Sequence, residues 1–254
     1  MKKNIYILGG KGLIGSELVK LYSREKVKII VLDIDLNKLN HKKRGITYIK
    51  FDCTKNYLSK NDLKKIFKEN GKPDIFINCS YPISKSWSNS VIENTDYNLY
   101  KDNIELHLNS YVWIAKLVAK EMKKYKKGSI LLLGSIYGPL AQDPELYRGT
   151  GIKENFTYPV IKSGVIGATK QLASFYGKYN IRVNCICSGG ILGHIKGTKK
   201  KQSPKFLNKY LGKIMLDHFC KADEIAKACK FFASDMASYV TGQTIFVDGG
   251  YSSL

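Results

Sequence analysis

With 254 residues, 44% of them hydrophobic and 25% charged, the chain has the size and balance of a single globular domain rather than of a disordered or fibrous protein. No apolar run approaches the roughly 18 residues of a membrane span, and the N-terminus lacks a small-residue cleavage site, which argues against a signal peptide. The net charge of +21 comes from lysines along the whole chain. Without a helix-turn-helix, zinc-finger or aromatic RNA-binding signature, we interpret it first as a solvated surface, second as a site for phosphate-bearing substrates, and only as a distant third as a nucleic-acid surface.

Strand and helix patterns alternate from one end of the chain to the other. The predicted strands are 4–9, 27–32, 46–51, 74–78, 129–133, 181–186 and 243–247. The predicted helices are 13–25, 62–70, 104–124, 158–179 and 222–233. Repeated strand–helix units of this kind imply parallel strands joined by right-handed crossovers. The sequence therefore predicts one α/β domain over residues 1–254, built on a Rossmann-type doubly wound parallel sheet.

Residues 139–156 and 189–204 fit no regular element well, and the regions near 139–156 and 189–215 are predicted to be substrate loops. Loops at the carboxyl ends of parallel strands are where α/β folds place their substrates. The second stretch contains a dense basic cluster, formed by Lys196, Lys199, Lys200, Lys201 and Lys205. Its 195–204 part is predicted to be a mobile lid, with a merely disordered loop as the alternative.

The six cysteines give little sign of a metal site. None forms a C-x-x-C pair, and only four histidines could join them. Cys185 and Cys187 fall within a predicted strand, where buried free thiols are the simpler interpretation. We therefore expect no metal and a reducing, cytoplasmic location.

A glycine-rich turn directly follows the first predicted strand. It consists of Gly9, Gly10, Lys11, Gly12, Leu13, Ile14 and Gly15. The G-x-G-x-x-G spacing of Gly10, Gly12 and Gly15 lets the backbone turn tightly and approach a pyrophosphate at a helix N-terminus. Asp33 ends the second strand, 18 positions after Gly15. This is near the sequence spacing expected of an acidic residue that binds ribose hydroxyls.

Asp33 also bears on the choice of cofactor. A carboxylate there would accept hydrogen bonds from the ribose hydroxyls and repel a 2′-phosphate, which favours NAD(H). Lys11 could instead meet that phosphate, so NADP(H) stays possible. Helix N-capping is the alternative interpretation of Asp33.

Tyr158 and Lys162 form Y-x-x-x-K, so their side chains lie on one helix face. A phenol has a pKa near 10, and a nearby ammonium stabilises the phenolate. The tyrosine could then exchange a proton with an alcohol or carbonyl oxygen while a cofactor moves the hydride. Ser135 stands at the end of an apolar strand, where it could hydrogen-bond the same oxygen. Asn109 lies within the preceding long predicted helix.

With these residues in this order, the chain resembles the short-chain dehydrogenase/reductase family over almost its whole length. The resemblance implies that Asn109, Ser135, Tyr158 and Lys162 are the catalytic tetrad, with Asn109 holding a water that links Lys162 to solvent. It also implies a homodimer or homotetramer. The remaining cofactor contacts that it implies are Asp52, Cys53, Asn78, Cys79, Ser80, Gly189, Gly190 and Ile191.

The segment between Ser135 and Tyr158 is longer than usual for the family and is polar. It predicts a polar small-molecule substrate, contacted by Tyr81, Ser135, Tyr147, Arg148 and Tyr158; a subunit contact or a plain surface loop is the alternative. The chain more specifically resembles members from bacterial surface-glycan and flagellin-glycan pathways, which implies a sugar, sugar phosphate or nucleotide sugar. Reduction of a non-sugar carbonyl and a non-catalytic NAD-binding regulatory role are the competing hypotheses.

Overall fold

Seven parallel strands form a single sheet in the computed structural model, which describes residues 2–36, 45–56, 60–192 and 202–253. In chain order they are β1 Asn4–Leu8, β2 Lys28–Asp33, β3 Ile46–Lys50, β4 Ile75–Asn78, β5 Gly128–Leu133, β6 Ile181–Ser188 and β7 Thr244–Val247. Their order across the sheet is β3-β2-β1-β4-β5-β6-β7, and every neighbouring pair is parallel. The strand order reverses between β1 and β4, as in a doubly wound fold. The predicted fold class is confirmed.

Helices cover both faces of the sheet. They are α1 Leu13–Tyr22, α2 Cys53–Asn56, α3 Lys60–Asn70, α4 Tyr97–Asn103, α5 Ser110–Lys123, α6 Pro144–Tyr147, α7 Thr157–Tyr176, α8 Pro204–Leu211 and α9 Ala222–Ala233. A π-helical segment, Ile104–Asn109, joins α4 to α5. Short 3-10 turns occur at Trp87–Asn89, Gly177–Tyr179, Asp235–Ala237 and Tyr251–Ser253.

The core has two layers because alternate strand residues point to opposite faces. Tyr6 and Leu8 of β1 pack with buried residues of α3, α5 and α7 on one face. Ile5 and Ile7 pack with α1 and α9 on the other. A fully buried aliphatic side chain contributes about 1.5–3 kcal/mol, so this continuous burial makes the sheet a rigid base for the loops at its carboxyl edge.

The two predicted loops carry more structure than the sequence indicated. The 139–156 stretch contains α6, and the 189–215 stretch contains α8. They pack on each other through a third buried cluster, made by Ile136, Leu146, Tyr147, Tyr210 and Phe219. Residues 195–201 of the predicted 195–204 lid, with Lys196, Lys199, Lys200 and Lys201, lie outside the described residues. In the described part of the chain, no helix is long and apolar enough to cross a membrane.

Candidate active site

The glycine turn folds tightly because its glycines leave no room for side chains. Gly9 has φ +74°, and a Cβ there would lie 2.7 Å from the backbone nitrogen of Ser80. A Cβ on Gly15 would lie 2.2 Å from the carbonyl oxygen of Gly9, so helix α1 could not approach β1. The first turn of α1 has a glycine N-cap, Gly12, and no acidic residue. Its outward N–H groups and positive dipole end fit a pyrophosphate.

Asp33 is buried at the end of β2 and binds the glycine turn. Its Oδ2 accepts a hydrogen bond from the backbone nitrogen of Lys11 at 2.9 Å, and its Oδ1 accepts one from the nitrogen of Asp35 at 3.3 Å. The carboxylate therefore lies beside the turn that fits the pyrophosphate, where a ribose hydroxyl could reach it.

Asn78 ends β4 at the carboxyl edge of the sheet, next to the end of β1, and its side chain is fully buried. Its Oδ1 accepts hydrogen bonds from the backbone nitrogen and hydroxyl of Ser80, at 3.1 and 2.7 Å. Its Nδ2 has no hydrogen-bond partner among the described residues. A buried amide of this kind needs a partner, so it fits a bound group with an acceptor oxygen. Cys79 follows Asn78 and donates its backbone N–H to the carbonyl oxygen of Leu8 at 2.8 Å.

The other implied cofactor contacts are held by local structure. Asp52 caps the short helix α2 by accepting from the backbone nitrogen and hydroxyl of Thr54. Burial raises the pKa of the neighbouring Cys53 thiol to about 11. Gly189 is pressed against Asp248, with a Cβ position 2.9 Å from the Asp248 Cα. Gly190 donates its backbone N–H to the hydroxyl of Tyr210, and Ile191 pairs with Cys220.

Tyr158, Lys162 and Ser135 meet where α7 crosses the end of β5. The Lys162 ammonium is buried, donates to the carbonyl oxygen of Leu133 at 3.1 Å and lies 5.6 Å from the Tyr158 ring centroid. Burial lowers the pKa of Lys162 to about 8. Burial also raises the pKa of the Tyr158 hydroxyl, while a hydrogen bond with the Ser135 side chain acts in the lowering direction. The sequence predicted that the ammonium lowers this pKa, whereas in the structure burial has the larger effect.

Asn155 holds the start of α7 and was not among the residues predicted from sequence. Its Oδ1 accepts from the Thr157 hydroxyl and the Tyr158 backbone nitrogen, both at 2.9 Å. Its Nδ2 donates to the carbonyl oxygen of Trp87 at 3.0 Å. An asparagine just before an amphipathic helix is a recognisable N-cap signal, so this residue could have been found.

The structure does not bring Asn109 to this site. Asn109 is exposed, and its Nδ2 donates to Oε2 of Glu105 at 2.5 Å. The residue of the same segment that lies beside the site is His107, which is fully buried. The physical reason is the π-helical segment Ile104–Asn109, whose wider turn moves residues around the helix axis relative to a regular helix.

Aromatic rings form a wall next to Tyr158. The Tyr81 and Trp87 ring centroids lie 6.3 and 6.2 Å from that of Tyr158, and 5.9 Å from each other. Tyr81 keeps 51% of its surface exposed, so the wall faces an open space. Trp87 was not among the predicted site residues.

Two predicted substrate contacts are placed differently. Tyr147 is buried, packs on Phe206 at 5.6 Å and donates its hydroxyl to Gln142 at 3.1 Å. Arg148 points to solvent, with its side chain 75% exposed and its guanidinium 2.7 Å from Glu145. Tyr147 thus packs within the 139–156 segment near Tyr158, and Arg148 belongs to the exposed surface of that segment.

Three comparisons extend these observations to the whole chain. A family profile described as enoyl-(acyl carrier protein) reductase matches residues 11–252. The chain is 32% identical to the post-translational flagellin modification protein A of Campylobacter coli, with 98% of each chain covered. It is 28% identical to a 7α-hydroxysteroid dehydrogenase of Bacteroides fragilis, covering 98% of this chain and 93% of that one.

A solved structure agrees with the same relationship. The crystal structure of a short chain dehydrogenase from Leptospira borgpetersenii with bound NAD+ superimposes with a TM-score of 0.84 at 30% identity. The match covers 99% of this chain and 93% of that one. The similarity thus includes the tyrosine site and the C-terminal segment as well as the glycine turn.

Proposed function

Because the chain belongs to the short-chain dehydrogenase/reductase family and is a nicotinamide-dependent oxidoreductase, we propose that it interconverts a secondary alcohol and a ketone on a sugar, sugar phosphate or nucleotide sugar of a surface-glycan pathway. The observation that carries the substrate class is the 32% identity, over 98% of both chains, to a protein of flagellin modification. The net charge of +21 supports an anionic form of such a substrate.

The residues around Tyr158 support a division of roles. Tyr158 gives a proton to the carbonyl oxygen in reduction and takes it back in oxidation. Ser135 hydrogen-bonds the same oxygen, and Lys162 provides positive charge beside the phenol. A bound nicotinamide accepts or supplies the hydride and, when oxidised, adds a positive charge to the site. The glycine turn, Asp33 and Asn78 are the groups that would hold it.

Asp33 supports NAD(H) as the preferred cofactor. Its buried carboxylate is fixed by two backbone N–H groups beside the glycine turn. A 2′-phosphate there would bring two negative groups together at a site of low dielectric, which is strongly unfavourable. Ribose hydroxyls could instead donate to the same carboxylate.

The aromatic wall supports a ring-shaped substrate with polar edges. Tyr81 and Trp87 offer apolar faces next to Tyr158. The carbon-bound hydrogens of a pyranose can pack on such faces while its hydroxyls stay available for hydrogen bonds. The Bacteroides relative acts on a hydroxysteroid by its name, so a non-sugar ring is the second candidate substrate.

The test is nicotinamide absorbance during incubation with sugars, sugar phosphates, nucleotide sugars and one hydroxysteroid, offering NAD and NADP in both redox states. We expect turnover of a sugar derivative with NAD(H), reduced roughly 10²- to 10⁴-fold in Tyr158→Phe. Turnover of the hydroxysteroid alone would contradict the sugar assignment. Silence across the panel, with cofactor binding intact, would contradict the proposed substrate class and favour the regulatory hypothesis.

We also propose a homo-oligomer in a reducing, cytoplasmic compartment. Exposed apolar side chains occur on α7 and on the edge strand β7, where Phe175 is 50% and Phe246 40% exposed. Such surfaces favour self-association, which a solution mass measurement checks against 28.7 kDa per chain. All six cysteines are free thiols, which supports a reducing compartment.

A further inference from the structure

The side-chain amide of Gln142 pairs with both backbone polar groups of Asn155. Its Nε2 donates to the Asn155 carbonyl oxygen at 2.8 Å, and its Oε1 accepts from the Asn155 backbone nitrogen at 3.2 Å. Asn155 lies just before helix α7, so its N–H cannot be satisfied within the helix. The Gln142 amide takes the place of a backbone partner there and closes the 143–154 part of the chain onto the start of α7.

The buried cluster of the 139–156 segment fixes this amide from the other side. The Tyr147 hydroxyl donates to Oε1 of Gln142 at 3.1 Å, and the Tyr147 ring packs on Phe206 of α8. Burial raises the pKa of Tyr147 to about 12, so its hydroxyl stays protonated at neutral pH and remains a donor. The Gln142 amide therefore links the core of α6 and α8 to the residue that precedes α7.

Asn155 and Phe156 in turn hold the 3-10 turn that carries Trp87. Nδ2 of Asn155 donates to the carbonyl oxygen of Trp87 at 3.0 Å, and the Phe156 backbone nitrogen donates to that of Ser90 at 2.7 Å. Ser90 is fully buried, so this end of the turn is fixed in the interior. The position of the Trp87 ring, 6.2 Å from the Tyr158 ring, thus depends on where the backbone of Asn155 lies.

We propose that Gln142 is a specificity-determining positioning residue, which acts through Asn155 to set the distance between the Trp87 ring and Tyr158 and so favours ring-shaped over open-chain substrates. The inference rests on the proposed alcohol–ketone activity. A rigid ring must pack one face on the aromatic wall while its carbonyl carbon lies at Tyr158, so its binding depends on that distance. An open-chain ketone can bend to fit and depends on it less.

The activity test compares Gln142→Ala with the unchanged protein on the cyclic ketone that the sugar panel identifies and on dihydroxyacetone, a short open-chain ketone. The change removes all three hydrogen bonds of the amide, and we expect KM for the cyclic ketone to rise about 5- to 20-fold. The kcat should stay within about threefold, because Tyr158 keeps its hydrogen bond to the Asn155 side chain. The ratio of kcat/KM for the cyclic ketone to that for dihydroxyacetone should therefore fall.

Four further variants test the route of the effect. Tyr147→Phe removes only the hydroxyl that holds Gln142, and Gln142→Glu keeps the acceptor and loses the donor; both should raise KM less than Gln142→Ala, and both serve if the alanine variant does not fold. In Asn155→Ala, adding Gln142→Ala should raise KM by a smaller factor, because the side-chain link to Trp87 is already cut. Lys153→Ala, on the exposed surface of the same segment, is the control and should leave KM unchanged.

A second measurement needs no substrate. The chain has two tryptophans, Trp87 and Trp113, so the tryptophan fluorescence of Trp113→Phe reports Trp87 alone. In this background we expect Gln142→Ala to shift the emission to longer wavelength and to increase its quenching by acrylamide, because the half-buried Trp87 ring becomes more accessible to water. Lys153→Ala should change neither the emission nor the quenching.

The outcomes separate this inference from the proposed function. An active enzyme in which Gln142→Ala leaves KM for the cyclic ketone unchanged, or weakens both ketones equally, would overturn the role of Gln142 alone. Silence across the sugar panel would contradict the proposed substrate class, and the fluorescence would then decide by itself whether Gln142 holds Trp87. Unchanged emission and quenching in Gln142→Ala would overturn the inference whether or not activity is found.

Discussion

Burial controls the two ionisable groups at the centre of the site. It raises the pKa of Tyr158 and lowers that of Lys162 to about 8. The tyrosine therefore stays protonated at neutral pH, ready to donate to a carbonyl oxygen. The lysine is close to half-protonated near pH 8, so it can both give and receive a proton under ordinary conditions.

The raised pKa of Tyr158 and the lowered pKa of Lys162 predict the pH dependence of ketone reduction. The reaction needs protonated Tyr158 and the Lys162 ammonium, and the ammonium is the form lost as pH rises through about 8. We expect kcat/KM for reduction to be level below that pH and to fall above it, measured from about pH 6 to 10. In Lys162→Arg, whose guanidinium stays charged, any residual activity should lack this decline. A wild-type profile that stays level over the whole range would be inconsistent with the assigned role of Lys162.

At the scale of the element, helix α7 carries two of the catalytic candidates, Tyr158 and Lys162, and is held at its start by one side chain. Asn155 accepts from the Thr157 hydroxyl and the Tyr158 backbone nitrogen, and it also donates to Trp87 of the aromatic wall. The cap therefore sets the position of Tyr158 relative to the surface on which substrate would lie.

Removing the cap should affect stability and activity together. We expect Asn155→Ala to lower the free energy of unfolding by about 1–2 kcal/mol, measured in urea, because the first turn of α7 loses its acceptor. It should also lower kcat, since Tyr158 is less well placed. Asn155→Asp keeps the acceptor and loses only the donor to Trp87, so its stability should lie closer to that of the unchanged protein. If Asn155→Ala were as stable as the unchanged protein, the cap would contribute little to the free energy of unfolding.

The helical region before β5 shows where hydrophobic periodicity fails to predict the bounds of a helix. The sequence predicted one helix over 104–124, whereas α4 begins at Tyr97, with Asp96 accepting from Leu99 at its N-cap, and the π-helical segment separates α4 from α5. Apolar spacing assumes a constant rotation per residue, so it cannot locate such a segment. Within this segment the structure places Asn109, which the resemblance implied, on the exposed side and His107 on the buried side.

At the scale of the whole molecule, the parts that sequence predicted well depend on local constraints. Apolar strands such as 181–186 identify a covered parallel sheet, and Gly9 and Gly15 are required by close contacts around the first strand–turn–helix unit. The buried position of Tyr147 depends on a contact between residues far apart in sequence, because its ring packs on Phe206. No local pattern encodes that contact, so the 139–156 segment was predicted as an open loop when its inner side is part of a core cluster.

The central claim is that the Tyr158 site moves a hydride between a nicotinamide and a sugar carbon. The most direct measurement is mass spectrometry of the product formed from a keto-sugar and NADH that carries two deuterium atoms at C4. We predict that the product gains one deuterium at the new alcohol carbon, and that Tyr158→Phe, binding NADH equally well, forms almost none. Product without deuterium, or equal incorporation by the variant, would contradict the account.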